Sequence, residues 1–455
     1  MAFKGSVKFG PLTPRFAFLE HVIAPLSPHS ATIFALQRIA VDRIMLREVL
    51  ALGALMVGMC GLLLGNGLFG TLTALRMSGE GFDPTIIGIV LSCHSLGFIV
   101  GCLYGQRIIR RTGHIRCFTA FAALLAVVCL VLPIVVTPAT WIPLRLIFGF
   151  CSAMVFMVAE SWLTGAASSE TKGRVFAVYM VINKGSFGAG QLLLLLGDPA
   201  GDRLFMLTAI LFAICLVPIA LASRGAPPDI DAERIGLRAL YRHSPVGVMG
   251  ALAAGFANAP LMGLGPVFGA EVGLGVEGVS YFMAVFLFGS LALQIPIGRL
   301  SDRFDRRVVL IGVAVAAAVS CGAMATAVPL GYWPVIALSF VIGGLSAVVY
   351  PIAMAHANDH ARAETLVSIM AGLLLTFGVG ASISPFFASL AMKWLGPAGL
   401  YIYAAGVYAW LAAFTVYRRT RRAPAPEQAE FVAQPQTSQS SAVVTTLDPR
   451  ADDTQ

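Results

Sequence analysis

Gly298-Arg299-Leu300-Ser301-Asp302-Arg303-Phe304-Asp305-Arg306-Arg307 is a charged decapeptide set between two long apolar stretches, Tyr281 to Ile297 before it and Val308 to Leu330 after it. A basic decapeptide alone carries little information. Between two runs long enough to cross a bilayer, it reads as a tight charged turn joining two membrane helices. A degenerate copy of this turn stands at Gln106 to Arg116, 192 positions earlier (298 − 106 = 192). The chain is therefore expected to be a membrane protein built as two similar halves.

Composition points the same way. Of the 455 residues, 58% are hydrophobic and 12% charged, against about 25% charged in ordinary soluble domains. A mean hydropathy of +0.83 makes lipid the expected solvent. Twelve apolar runs of about spanning length fit in the chain, near residues 49–75, 84–108, 115–136, 141–165, 174–196 and 204–222, then 246–270, 279–299, 308–328, 333–356, 365–392 and 398–417. The expected fold is all-α, with twelve transmembrane helices in two pseudo-symmetric six-helix halves. The 47 glycines suit close helix packing in a bilayer.

The remaining segments divide accordingly. Residues 1–46 mix Pro, Phe, Lys and Arg without a span-length run and lack the apolar core of a signal peptide. They are expected to be either a disordered extension or a mis-assigned start, with translation beginning at Met45. Residues 47–222 form the first half, 223–244 a cytoplasmic linker holding Pro227 and Pro228, and 245–420 the second half. The Pro, Gln, Ser and Thr-rich tail, 421–455, is expected to be disordered.

Basic residues crowd alternate loops: Arg107, Arg110, Arg111 and Arg116, then Lys172 and Arg174, then Arg224, Arg234, Arg238 and Arg242. The series continues with the turn at 298–307, with Arg362 and with the basic group after Tyr417, whereas the opposite loops offer Arg76, Arg203 and Lys393. The rich side is expected to be cytoplasmic, with both termini inside and the chain in the bacterial inner membrane. The net charge of +8 is spread over these short loops, so it is not a nucleic-acid signal. The eight cysteines lie in or at the ends of apolar runs with no metal spacing, which argues against disulfides and zinc; no cofactor is expected.

Ungapped, the 192-residue offset also places Asn66 on Asn258, Trp141 on Trp333 and Arg111 on Arg303. Duplicated halves of this kind place a substrate at their interface near the bilayer midplane.

These residues resemble the major facilitator superfamily over about 47–420. Its loop signature, Gly-x-x-x-Asp-Arg-x-Gly-Arg-Arg, is matched by Gly298, Asp302, Arg303, Arg306 and Arg307, and departs at Asp305, where the family has glycine. In the first half Gln106 and Arg110 replace the first glycine and the aspartate, while Arg111 and Gly113 remain. Glu160-Ser161-Trp162-Leu163, Tyr179-Met180 with Gly190-Gln191-Leu192-Leu193, and Tyr350-Pro351-Ile352-Ala353-Met354-Ala355 look like the YcaD-like branch. The resemblance implies a transporter with a central cavity lined by spans 1, 2, 4, 5, 7, 8, 10 and 11. The Gly-Pro dipeptide that superfamily antiporters carry in the fifth span is missing, so antiport is not implied.

Ionisable groups at membrane depth are costly and mark candidate sites. Arg145 lies one turn into the fourth span with Gly149 four residues on, a pattern that the resemblance links to proton coupling; the alternative is an arginine snorkelling beside Trp141. Lys184 is near mid-span, where snorkelling is hard, so it must face a wet cavity or a carboxylate. His94 titrates near neutrality in its free form and suits a proton relay, or else packs as a hydrogen-bonded core residue. Asn66 and Asn258 offer amides across a cavity or between helices; Gln191 is a further candidate, with Gln294 and His356 weaker. Glu160 reads as a cytoplasmic gate residue paired with Arg174 or another loop cation. Gly298, Asp302, Arg303, Arg306 and Arg307, with Arg111 and Gly113, complete the gate, Asp302 acting as a latch between helix ends.

The chain lacks a Walker lysine loop, a His-Glu-x-x-His motif and a nucleophile elbow, so neither direct ATP drive nor an enzyme is indicated. The expected function is secondary active transport of a small solute by a monomer, coupled to protons, with an organic anion favoured if the three basic residues share one cavity. The alternatives are efflux of amphipathic compounds and a transport-dead sensor.

Overall fold

The computed structural model describes residues 28–166, 172–217, 236–359, 361 and 365–421. Among these residues every regular element is helical. The elements are α1 (Pro28–Gly79), α2 (Pro84–Thr112), α3 (His114–Val131), α4 (Pro138–Ala166), α5 (Lys172–Leu192), α6 (Arg203–Ile214) and α7 (Leu237–His243). They continue with α8 (Pro245–Glu271), α9 (Gly275–Arg303), α10 (Arg306–Ala327), α11 (Tyr332–Asn358), α12 (Leu366–Leu395) and α13 (Gly399–Arg419). Residues up to Ala51 belong to one compact unit; the bundle of packed helices is the other, from Leu52 onward.

Ten of these helices are long and apolar enough to cross a membrane. The chain is an integral membrane protein. The fifth and sixth expected spans fall outside the ten for different reasons. Lys184, Asn183 and Gln191 make α5 polar, while α6 has 12 residues within its bounds. Residues 218–235, which hold the end of the expected sixth span and part of the expected linker, lie outside the described residues, as do 422–455 of the tail and residues 1–27. Residues 28–46, read from the sequence as lacking a span, fall within α1, and 237–243 of the expected linker form α7.

Two helix pairs pack with the same device. A Cβ on Gly97 of α2 would sit 2.0 Å from the Leu146 carbonyl oxygen, and one on Gly149 of α4 would sit 2.0 Å from that of His94. In α9 and α11, Gly289 and Gly343 meet the carbonyls of Phe340 and Phe286 at the same 2.0 Å. Only glycine lets two backbones come this close. Gly97 and Gly289 keep the 192 offset, but Gly149 and Gly343 are 194 apart (343 − 149 = 194). The ungapped match of Trp141 with Trp333 therefore fails in space. Trp141 is fully buried and donates from Nε1 to the Leu132 carbonyl at 3.0 Å, whereas Trp333 is 76% exposed.

The charged turn is ordered by its own side chains. Arg306 bonds Asp359 at the end of α11 through Nε at 2.7 Å, with both side chains 1% exposed, and reaches Asp302 at 3.2 Å. Asp305 caps α10 by accepting from the Arg307 amide at 2.9 Å, and its other oxygen takes a bond from Arg307 Nη2 at 2.8 Å. Burial pushes the Asp305 carboxyl up, but the bonds and charge of Arg307 outweigh it and leave the pKa lowered. This capping role gives a physical reason for an aspartate where the family has glycine. In the first-half turn the corresponding Gly113 has φ +88°, a conformation that other residues rarely adopt.

Candidate functional site

The close helix pairs surround a cavity of about 130 Å³. The α2–α4 contact sets His94 and Ser95 beside Arg145 and Phe148. The α1–α5 contact does the same for Asn66 and Phe69 against Phe187 and Gln191: a Cβ on Gly67 would lie 2.2 Å from the Phe187 oxygen, and one on Gly190 2.4 Å from the Leu64 oxygen. On the opposite wall Gly255 and Gly380 bring α8 against α12, with the Phe377 oxygen 2.2 Å from a Cβ on Gly255. The lining comes from α1, α2, α4, α5, α8, α9, α11 and α12.

All six residues singled out from the sequence for the substrate or proton pathway line this cavity: Asn66, His94, Arg145, Lys184, Gln191 and Asn258. Arg145 is 3% exposed and so does not snorkel to an interface. Its guanidinium lies over Phe69 at 5.1 Å and Phe148 at 5.6 Å, two rings that stack at 4.2 Å. Such a face is worth about 2 kcal/mol to a desolvated cation. Arg145 Nε, His94 Nδ1, Asn258 Oδ1 and Tyr350 OH have no hydrogen-bond partner among the described residues. Four unpartnered polar atoms around one hollow cost free energy unless water or a ligand meets them.

Lys184 is likewise 3% exposed. Its ammonium donates to Gln294 Oε1 and, at 3.4 Å, to the Ser290 carbonyl, both on α9. Neither partner is a carboxylate. The Gln191 side chain accepts from Thr71 Oγ1 and donates to the Gly67 carbonyl at 3.0 Å, and its backbone carbonyl accepts from Ser280 Oγ at 2.7 Å. Asn66 Nδ2 donates to the Leu62 carbonyl one turn back, at 2.9 Å. Among the described lining residues the charged types are Arg145 and Lys184, with His94 titratable and no Asp or Glu.

The expected gate residues fall elsewhere. Glu160 is fully buried and accepts from Tyr179 OH at 2.8 Å, and Tyr179 OH in turn accepts from Asn183 Nδ2 at 3.4 Å, beside Lys184. Arg174, its expected partner, has a side chain outside the described residues. Asp302 joins the Arg306–Asp359 pair, so its contact stays among α9, α10 and α11. Asp359 was not singled out from the sequence, nor were Thr71 and the cavity phenylalanines; Tyr350 stands in a stretch quoted for the family resemblance but not as a site residue. At the other end of the bundle Asp83, ahead of α2, pairs with Lys393 of α12 at 2.9 Å. The bond from Lys393, followed by those from Thr85, lowers the Asp83 carboxyl to about 2. Beside that pair Gly88 faces the Pro385 oxygen, 2.6 Å from where a Cβ would stand.

The Major Facilitator Superfamily model matches residues 55–283 and 246–447, and the chain belongs to that family. It is 28% identical over 374 residues to an uncharacterised MFS-type transporter of Enterobacter sp. (strain 638), covering 81% of this chain and 96% of the relative. It is 29% identical over 347 residues to the uncharacterised MFS-type transporter YcaD of Salmonella typhi, covering 74% and 88%. Among solved structures it is similar to the nucleoside transporter NupG, with a TM-score of 0.65 at 13% identity, covering 82% of this chain and 98% of that one. A bacterial homologue of the human lysosomal transporter Spinster, in an inward-facing and unoccupied conformation, gives 0.60 at 12%, covering 89% and 97%. These are transporters, and membrane transport of a small solute, not enzymatic catalysis, is the function of this protein.

Proposed function

We propose that the protein is a secondary active transporter that moves a small organic anion across the bacterial inner membrane by alternating access. The observation that carries this reading is the cavity: Arg145 and Lys184 line it and, among the described residues, no carboxylate does. A positive hollow walled by low-dielectric material attracts an anion and repels a cation.

The two moving bodies are the six-helix halves 47–222 and 245–420, making twelve spans with both termini cytoplasmic. Support comes from the repeated glycine contacts of α2–α4 and α9–α11 and from the basic loops at one end. The halves meet where α2 crosses α12 and α5 crosses α9. Rocking about those seams would break Asp83–Lys393 at one end and open the cavity to that side. The turn at 298–307, with Arg111 and Gly113 in its first-half copy and Glu160 at the end of its span, forms the cytoplasmic gate. Asp302 shapes this gate through Arg306, a contact within the second half. Protons drive the cycle, with Glu160 a buried carboxylate linked through Tyr179 to Asn183, the chain neighbour of Lys184. The protein works as a monomer.

Efflux of bulky amphipathic compounds would favour a roomier hollow, since drug-sized ligands occupy about 300–1,000 Å³, and a Lys184 turned away from it. The test is flux into vesicles holding purified protein, with anionic, neutral and cationic solutes compared. Uptake of anions supports the reading. Uptake of cations alone, or of none while the protein remains folded, overturns it.

A further inference from the structure

We infer that the anion this cavity accepts is an aromatic monocarboxylate: one planar ring bearing one acid group. The inference rests on the transport reading above and narrows the solute of that same site.

Size limits the body of the ligand. The cavity measures about 130 Å³, close to the roughly 150 Å³ apolar cavity that takes up a single benzene in another protein. Ring-walled surfaces meet it from both sides. Phe69 and Phe148 stand on the α1 and α4 side, and Phe286, Tyr350 and Phe377 on the α9, α11 and α12 side. Tyr350 and Phe377 meet edge to face at 5.5 Å, while Phe148 lies 5.7 Å from the His94 ring. Rings in offset or edge contact favour an aromatic guest over an aliphatic one of equal size. A sugar would leave most of its hydroxyls facing these rings, which is costly.

Charge limits the acid groups to one. Of the two cations, Lys184 already donates to two oxygens of α9, Gln294 Oε1 and the Ser290 carbonyl. Among the described residues Arg145 has no such acceptors. Its Nε is buried and unpartnered, and its contacts are the faces of Phe69 and Phe148. A guanidinium presents a flat donor edge that fits one carboxylate in two parallel bonds. Tyr350 OH, also unpartnered, supplies a further donor. A dicarboxylate or a phosphate would place its second negative charge among the rings or have to pull the Lys184 ammonium from its two α9 acceptors, a cost that a single carboxylate on Arg145 avoids.

The experiment is a ligand-binding panel on the purified unmodified protein, read by thermal stabilisation and by displacement of labelled benzoate. Benzoate should stabilise the protein. Benzamide, which keeps the ring and lacks the charge, should bind roughly 10–100-fold more weakly, the worth of a charge-assisted bond. Cyclohexanecarboxylate should bind roughly 2–10-fold more weakly, the worth of an aromatic pair. Succinate and phosphate should not displace benzoate. Equal binding of succinate or phosphate overturns the inference and leaves anion transport standing. Equal binding of benzamide removes the anion from both. Absence of benzoate binding to folded protein overturns the inference whatever other solute is carried. Arg145→Gln gives the second measurement: it should level the benzoate and benzamide affinities, and a difference that persists in the variant contradicts the assigned carboxylate partner.

Discussion

Gly149→Ala adds one methyl at the point where α4 crosses α2, and its cost follows from the geometry. The new Cβ would lie 2.0 Å from the His94 oxygen and 2.9 Å from the Phe98 nitrogen, both backbone atoms. No side chain can turn away to make room, so the two helices must part by on the order of 1 Å along a close-packed seam. Overpacking of this kind costs about 1–3 kcal/mol, and a backbone-on-backbone clash belongs at the top of that range. Gly343→Ala, with its Cβ 2.0 Å from the Phe286 oxygen, should cost the same. Gly312→Ala in α10 is the internal control. Nothing lies within 4 Å of its Cβ, and replacing a helical glycine by alanine there should gain about 0.5–1 kcal/mol. Unfolding of the three variants in detergent, by heat or denaturant, gives the comparison. Equal stability of Gly149→Ala and Gly312→Ala would refute the claim that glycine contacts fix the cavity wall. Because the seam carries His94 and Arg145, Gly149→Ala should also lose flux more steeply than its stability loss explains.

Three more perturbations probe the charged groups. Asp359→Ala should destabilise the protein by up to about 3 kcal/mol, because it removes the buried partner of Arg306 and leaves the longer Asp302 contact, while the double variant Arg306→Met with Asp359→Leu should recover most of the loss; denaturant titration of the set decides. Lys184→Met should melt no lower than wild type, because an apolar side chain replaces a buried ammonium, yet anion flux should fall to background; retained flux removes Lys184 from the transport machinery. The Asp83–Lys393 pair titrates with a lowered carboxyl, so its contribution is complete above the ordinary carboxylate range near 4 and fades as pH falls through about 2. Melting curves of wild type and Asp83→Asn should therefore differ slightly at neutral pH, converge in strong acid and converge in high salt; a gap that widens on acidification contradicts the pairing.

Much of the helical architecture was legible because bilayer thickness imposes a length on every apolar run, and charged turns such as 298–307 mark where runs end. The polar cavity residues were legible for a related reason. A lysine, an arginine or an amide inside hydrocarbon is too costly to be incidental, so Arg145, Lys184, Asn66 and Asn258 announce themselves. The aromatic walls do not. Phe69 and Phe148 read like any core residue, and only their contact with Arg145 separates them from the rest. Tyr350 carried a weak signal, a hydroxyl within Val348-Val349-Tyr350-Pro351, with nothing to show where it faced. Asp359 gave no signal, since its partner Arg306 is 53 positions away. The Trp141–Trp333 match failed because the repeat shifts by two residues between α2 and α4, which an ungapped offset cannot register.

Counterflow of a labelled organic anion in vesicles, with wild type set against an Arg145→Gln variant of equal melting temperature, asks whether the solute passes through this cavity. The expected result is robust exchange by wild type and at least about a tenfold loss in the variant, as removal of one buried charge-assisted contact requires. Exchange by Arg145→Gln at the wild-type rate would show that the anion takes another route.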